Sequence, residues 1–199
     1  MNIAYIDGGT YYHHDTFHDP ELNPYFAANI YAPELYQTDL SSFDALYIAS
    51  RQDSDDLLFN QEKILHFLDA GKTVVVAGDN AAEQWVPGAQ WTDEPVNFWW
   101  WLTPGEDSGL RLAAPEHALM RTMTLQDFTW HHHGFFTPPD GAVSIINTTS
   151  GGSVFYEDTV STKGRLFVTS LDPCYHHGSH FMPAASRLLR GFLPWLHRQ

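Results

Sequence analysis

Basic residues are scarce in this 199-residue chain: 10 Lys and Arg stand against 24 Asp and Glu, a formal net charge of −14. A protein that grips nucleic acid or an anionic membrane carries a basic footprint. Arg187, Arg190 and Arg198 form only a thin C-terminal scatter, so neither nucleic acid nor membrane is an expected partner. Cysteine is nearly absent. Cys174 stands alone, so no intrachain disulfide can form, which fits a reducing compartment. No apolar run approaches the ~20 residues of a membrane helix. The opening MNIAYIDGG has neither the basic nor the long apolar region of a secretory signal, and a cytoplasmic location is expected. Gly8-Gly9 and Gly151-Gly152 form neither G-x-G-x-x-G nor a P-loop, and no H-E-x-x-H occurs, so nucleotide cofactors and a standard zinc motif have no support.

What is present is aromatic. Phe, Trp and Tyr make up 15% of the chain while charged residues reach only 17%, which argues against disorder and for aromatics that line a pocket or an interface. The length suits one domain over residues 1–199. Asn2 to Ile6 reads as a first buried strand stopped by Asp7-Gly8-Gly9. Thr10 to Pro33 has no clean period and reads as a long functional loop with a broken helix. Asp44 to Ala49 is a second strand, Leu57 to Ala70 a helix stopped by Gly71, and Thr73 to Ala77 a β-branched central strand. Together they make a βαβ unit with a right-handed crossover. Residues 84–109, with five tryptophans and three prolines, read as an insertion packed over one end of the sheet. Pro115 to Met123 suggests a short helix. Ala142 to Ile146, Ser153 to Tyr156 and Arg165 to Ser170 suggest strands. A last helix over Ala184 to Leu193 is expected to be disturbed at its end by Pro194.

Three segments in order carry a resemblance: Asp44 to Asn80, "PEHALMRTMTLQDF" at 115–128, and "GRLFVTSLDPCYHHGSHFMPAASRLLRGFLPWL" at 164–196. Together they resemble the class I glutamine amidotransferase-like superfamily, and within it the trehalose-utilisation (ThuA-like) branch. The resemblance covers most of the chain as a pattern of order and spacing. It implies an α/β, flavodoxin-like doubly wound fold, a mostly parallel sheet with helices on both faces. It also implies a site location and a link to carbohydrate. It does not carry over the activity. Amidotransferases place a nucleophilic Cys on the turn after the strand matching Thr73 to Ala77, and here that turn reads Gly78-Asp79-Asn80-Ala81-Ala82. Without a thiolate there, glutamine hydrolysis by that route is not expected.

Ligands of open α/β sheets bind beyond the carboxyl ends of the strands. The polar strand ends Asp7-Gly8-Gly9, Ser50 to Asp53, Gly78 to Asn80 and Asp172 would converge there. They read either as a ligand rim or as turn and helix caps. Twelve histidines are the most unusual feature, and nine of them cluster at 13, 14 and 18, at 131–133, and at 176, 177 and 180. Histidine serves as acid, base or metal ligand near neutral pH. The candidate catalytic residues are His131, His133, His176, His177 and Asp79. Asp7, Asn80, Tyr12, Trp100 and Asp172 are candidates for substrate binding. His13, His14 and His180 are candidate metal ligands, since imidazoles with a nearby carboxylate suit zinc or a similar divalent ion. On a strand His131 and His133 would share a face, and on a helical turn so would His176 and His180. Histidines that cap, stack and hydrogen-bond without any ligand are the competing reading. Cys174, beside His176 and His177, reads either as a thiol nucleophile with a base or, more simply, as an ordinary buried or semi-buried cysteine; it follows the last strand rather than sitting on the elbow.

Two functions follow. One is an enzyme, a hydrolase or isomerase, acting on a small polar metabolite such as a carbohydrate derivative by His/Asp chemistry. The other is a non-catalytic binding or assembly subunit, with the aromatic insertion sealing a homo-oligomer.

Overall fold

The computed structural model describes residues 1–78 and 80–199; Asp79, one of the candidate catalytic residues, lies outside the described residues. Among the described residues ten strands pair into one sheet: β1 (Ile3–Asp7), β2 (Phe26–Tyr31), β3 (Ala45–Ile48), β4 (Thr73–Ala77), β5 (Gln90–Asp93), β6 (Leu110–Leu112), β7 (Gly134–Thr137), β8 (Val143–Thr148), β9 (Ser153–Asp158) and β10 (Arg165–Thr169). The helices are α1 (Tyr11–His18), α2 (Ser54–Asp69), α3 (Pro173–Gly178) and α4 (Pro183–His197).

One half of the sheet is parallel, in the order β2-β1-β3-β4-β10. This is the flavodoxin-like doubly wound order. Every residue of β1, β3 and β4 is buried, as expected of strands covered on both faces. One face holds Tyr5, Tyr47, Val75 and Phe167, packed against Leu189, Phe192, Leu193 and Leu196 of α4. The other holds Ile6, Ile48, Val76 and Val168 against Leu57, Ile64 and Leu68 of α2. Each such side chain contributes roughly 1.5–3 kcal/mol on burial, and the two faces together fix the order of the layers. α2 starts where Asp53 accepts the Asp55 N–H at 2.9 Å, with Asp55 and Asp56 at the positive end of its dipole. It stops before Gly71 at φ +83°.

The other half is antiparallel: β10-β9, β9-β8, β8-β6, β9-β7 and β7-β5. It is the chain between β4 and β10, so the aromatic insertion supplies a strand as well as loops. Several expectations are corrected here. The stretch Thr10 to Pro33 contains α1 and the edge strand β2, whose half-exposed FAANIY sequence has little of the β-branched character that marks a strand. The His-rich stretch after β10 is helix α3. Pro194 does not end the last helix. It leaves the Arg190 carbonyl without its helical donor, but Trp195 and Leu196 are buried and hold the final turn down. α3 meets α1 closely at Gly178, where a Cβ would stand 2.2 Å from the Tyr12 carbonyl oxygen, so only glycine fits.

Candidate functional site

The carboxyl ends of β1, β3, β4 and β10 do converge on one rim, and the local chemistry divides it into braces and a cleft. Asn80 is a brace. It is buried at a left-handed φ of +45°, a conformation that asparagine tolerates better than most residues. Its Nδ2 donates to the carbonyls of Ala49 and Ala77, both at 2.8 Å, and its Oδ1 accepts the Gln52 N–H at 2.9 Å. The amide ties the end of β3 to the end of β4 and is fully used in doing so. Ala81 follows at φ +48°.

His13 is a second brace. It is fully buried, with Nδ1 accepting the Gly8 N–H at 3.0 Å and Nε2 2.7 Å from the Ser50 carbonyl. Both ring nitrogens are engaged, which removes it as a metal ligand. Asp7 accepts from the Gly9 N–H at 2.7 Å and from Asn29 at 2.9 Å. Burial alone would raise its pKa. His13, Asn29 and the Gly9 N–H outweigh that and hold the carboxyl below the ordinary range.

The cleft, about 340 Å³, opens between Arg51, Gly78, Trp91, His133, Ser170 and Asp172. Asp172 is buried at the end of β10, and Arg51 donates to its Oδ2 through Nε at 2.9 Å and Nη2 at 2.7 Å. The same guanidinium lies 3.6 Å above the Tyr175 ring, a cation–π contact, and Arg51 itself is held at φ +63°. A strained backbone, a carboxylate and an aromatic face thus aim one cation. His176 places Nε2 2.9 Å from Asp172 Oδ1, but off the axis of a hydrogen bond, and its Nδ1 has no partner. Burial works against the Asp172 charge; His176 and Arg51 more than offset it, so the carboxyl stays ionised below the ordinary range. Ser170 is buried, and its hydroxyl has no hydrogen-bond partner among the described residues.

Above this lie the imidazoles. The His131 ring is 4.8 Å from His176 and 5.6 Å from His133, and it stacks on Phe98 at 4.3 Å. His132 turns away, its Nε2 2.8 Å from Glu94. Burial, reinforced by His176, lowers the His131 pKa to about 4, so this ring is an unprotonated base at neutral pH.

The structure therefore gathers His131, His133, His176 and Asp172, and adds Arg51, Ser170, Trp91 and Phe98. Sequence reading gave those last four no individual role, for they lie far apart along the chain and belong to no motif. His177 parts from His176, facing Asp19 and Ser186 on the other side of α3. Tyr12 stands behind Tyr175 at 5.2 Å rather than in the cleft, and Trp100 is half-buried against Trp101. The proposed metal set is not assembled. His14 and His180 face Asp15 on the surface at 3.2 and 3.5 Å, away from buried His13, and no trio of His, Cys, Asp or Glu among the described residues is placed to hold an ion. His180 leaves the helical path at φ +60°, so it does not share a face with His176. Cys174 is fully buried 3.8 Å from the Tyr47 hydroxyl, and burial pushes its thiol up to about 11.

No protein-family model and no curated protein matches the sequence. Solved structures do match in shape. A glutamine amidotransferase from Thermotoga maritima superposes with a TM-score of 0.61 at 12% identity, covering 100% of this chain and 99% of that one. A candidate GMP synthase component from Thermoplasma acidophilum gives 0.57 at 12% identity over 100% and 96%. A ThuA-like protein from Bacteroides uniformis gives 0.51 at 9% identity over 96% and 89%. The fold is thus that of glutamine amidotransferase-like and ThuA-like proteins, as the sequence resemblance implied. Likeness at this identity concerns fold alone.

Proposed function

We propose that this chain is an enzyme acting on a small polar metabolite in the cleft beyond β3, β4 and β10. His131 and His133 exchange protons with the substrate, while Arg51 and Ser170 hold it. Asp172 orients Arg51 and sits beside His176. The observation that carries this reading is that an aimed guanidinium, a buried hydroxyl and the His133 imidazole line one cleft of small-molecule size, with the unprotonated His131 ring 5.6 Å from His133. A carbohydrate derivative is the favoured class, since the aromatic wall of Trp91 beside polar donors suits a sugar ring. Proton transfer by histidine fits hydrolysis or isomerisation. Glutamine hydrolysis is not part of the proposal, because the one thiol is buried away from the cleft.

Calorimetric titration with a panel of neutral and acidic sugars tests it. A binder is expected whose affinity falls at least about tenfold, some 1.4 kcal/mol, in Ser170→Ala and in Arg51→Ala. A panel without binders, or a binder indifferent to both substitutions, would remove the cleft from consideration. The assembly reading retains one observation: Trp99, Trp101 and Leu102 are 63%, 48% and 71% exposed. A concentration-dependent oligomer abolished by Trp99→Ser, with an empty sugar panel, would favour it.

A further inference from the structure

On the far side of α3 from the cleft, three elements bring a serine, a histidine and an aspartate together. Ser186, in the second turn of α4, places Oγ 2.8 Å from Nδ1 of His177. His177, in α3, is buried and places Nε2 3.2 Å from Oδ2 of Asp19. Asp19 follows α1 and is held in turn: it accepts the Glu21 N–H at 2.7 Å, and Arg190 stands 3.6 Å away. The proton positions are mutually consistent. If Ser186 donates to Nδ1, the ring proton sits on Nε2, which is the atom facing the carboxylate. The residues line an open groove of about 380 Å³.

We propose that Ser186, His177 and Asp19 form a second, nucleophilic site that cleaves small carboxylic esters, distinct from the rim cleft. These are the roles that define a Ser-His-Asp site whatever the fold or chain order. Ser186 Oγ bonds to the ester carbonyl carbon while its proton passes to His177 Nδ1. The tetrahedral oxyanion collapses, the carbon–alkoxide bond breaks, and His177 returns the proton to the leaving alcohol. Water then attacks the acyl-serine, giving one proton to His177. Collapse frees the carboxylic acid, and Ser186 regains its proton. Met182 and Pro183 offer an apolar wall for a short acyl group. The positive end of the α4 dipole lies about one turn before the serine. Burial lowers the His177 pKa despite Asp19, which leaves the ring free to accept a proton. Arg187 and Arg190 at the groove edge are already paired, with Asp127 at 3.1 Å and with Glu21 at 3.1 Å, so the preferred ester is uncharged.

The test uses the full chain, a fluorophosphonate probe and p-nitrophenyl acetate and butyrate. The expected result is a single adduct mapped by mass spectrometry to Ser186, with ester turnover reduced to background in Ser186→Ala. Alanine there suits a helix but leaves the buried His177 Nδ1 unpaired, so circular dichroism should show a folded chain with a modestly lowered melt. Asp19→Asn should lower turnover about a hundredfold or more while leaving the serine in place. An unlabelled Ser186 in folded protein, or Ser186→Ala turning over esters at the wild-type rate, would overturn the proposal. Neither result bears on sugar binding at the rim, so the two sites are judged separately.

Discussion

Replacing His131 by phenylalanine should change how stability depends on pH. The phenyl ring keeps the stack on Phe98 (4.3 Å between centroids, 19° between planes) and removes the titrating group. In the folded chain the His131 pKa lies at about 4 against an ordinary 6.5, because burial and the neighbouring His176 disfavour the imidazolium. A histidine whose folded pKa is depressed binds its proton more readily when unfolded. Above 6.5 both states are neutral and the ring adds no pH dependence. As pH falls from 6.5 to about 4 the unfolded chain gains the proton first, and stability declines until both states are protonated. The gap between the two pKa values, at 1.36 kcal/mol per pH unit, caps the effect at about 3.4 kcal/mol. The ring is only half-buried, and solvent screening reduces the expected figure to about 1–2 kcal/mol. Urea unfolding at pH 7.5, 5.5 and 4.0 measures it: His131→Phe should lose about 1–2 kcal/mol less than wild type across that range. The imidazole resonances of His131 should titrate near 4 in the folded protein. Superimposable pH profiles for the two proteins, or a titration midpoint near 6.5, would refute both the burial argument and the role of His131 as a neutral base.

Two further substitutions probe the scaffold beneath the site. Asn80→Ala deletes three hydrogen bonds at about 1 kcal/mol each and leaves the polar ends of β3 and β4 unpaired. A loss of about 3 kcal/mol in chemical denaturation is expected, and a loss under 1 kcal/mol would deny the brace. Gly178→Ala sets a methyl against the Tyr12 carbonyl where α1 meets α3. Overpacking of this kind costs about 1–3 kcal/mol, and the displaced α3 should shift the His176 and His177 resonances together. Unmoved resonances would mean that the helices are not held at this contact.

The legibility of the site follows from which interactions are local. Val74 to Val76, Tyr5 and Ile48 announce buried strands because burial on both faces leaves a continuous apolar run, readable without knowing any partner. Asp53, the stripe from Leu57 to Leu68, and Gly71 announce α2 for the same reason: cap, face and stop all lie within one segment. The doubly wound order was accessible through that pattern and the family resemblance it carries. β2 escaped notice because an edge strand is held by its neighbour more than by its own propensity, and α3 because six residues bearing Pro, Tyr and two His lack helical periodicity. The pairing of functional groups is wholly tertiary. His176 and His177 are adjacent in the chain yet face opposite sides of α3, one toward Asp172 and His131, the other toward Asp19 and Ser186. Arg51 reaches Asp172 across 121 positions, and Ser170 matters only because packing brings its buried hydroxyl to the cleft with no partner among the described residues. Composition and periodicity by themselves determined the acidic, aromatic, α/β character of this chain and its central strands, since those depend on each segment's own burial. Which histidines act together, and which serve only as braces, was decided by the tertiary structure, because distance and desolvation arise only when remote segments pack.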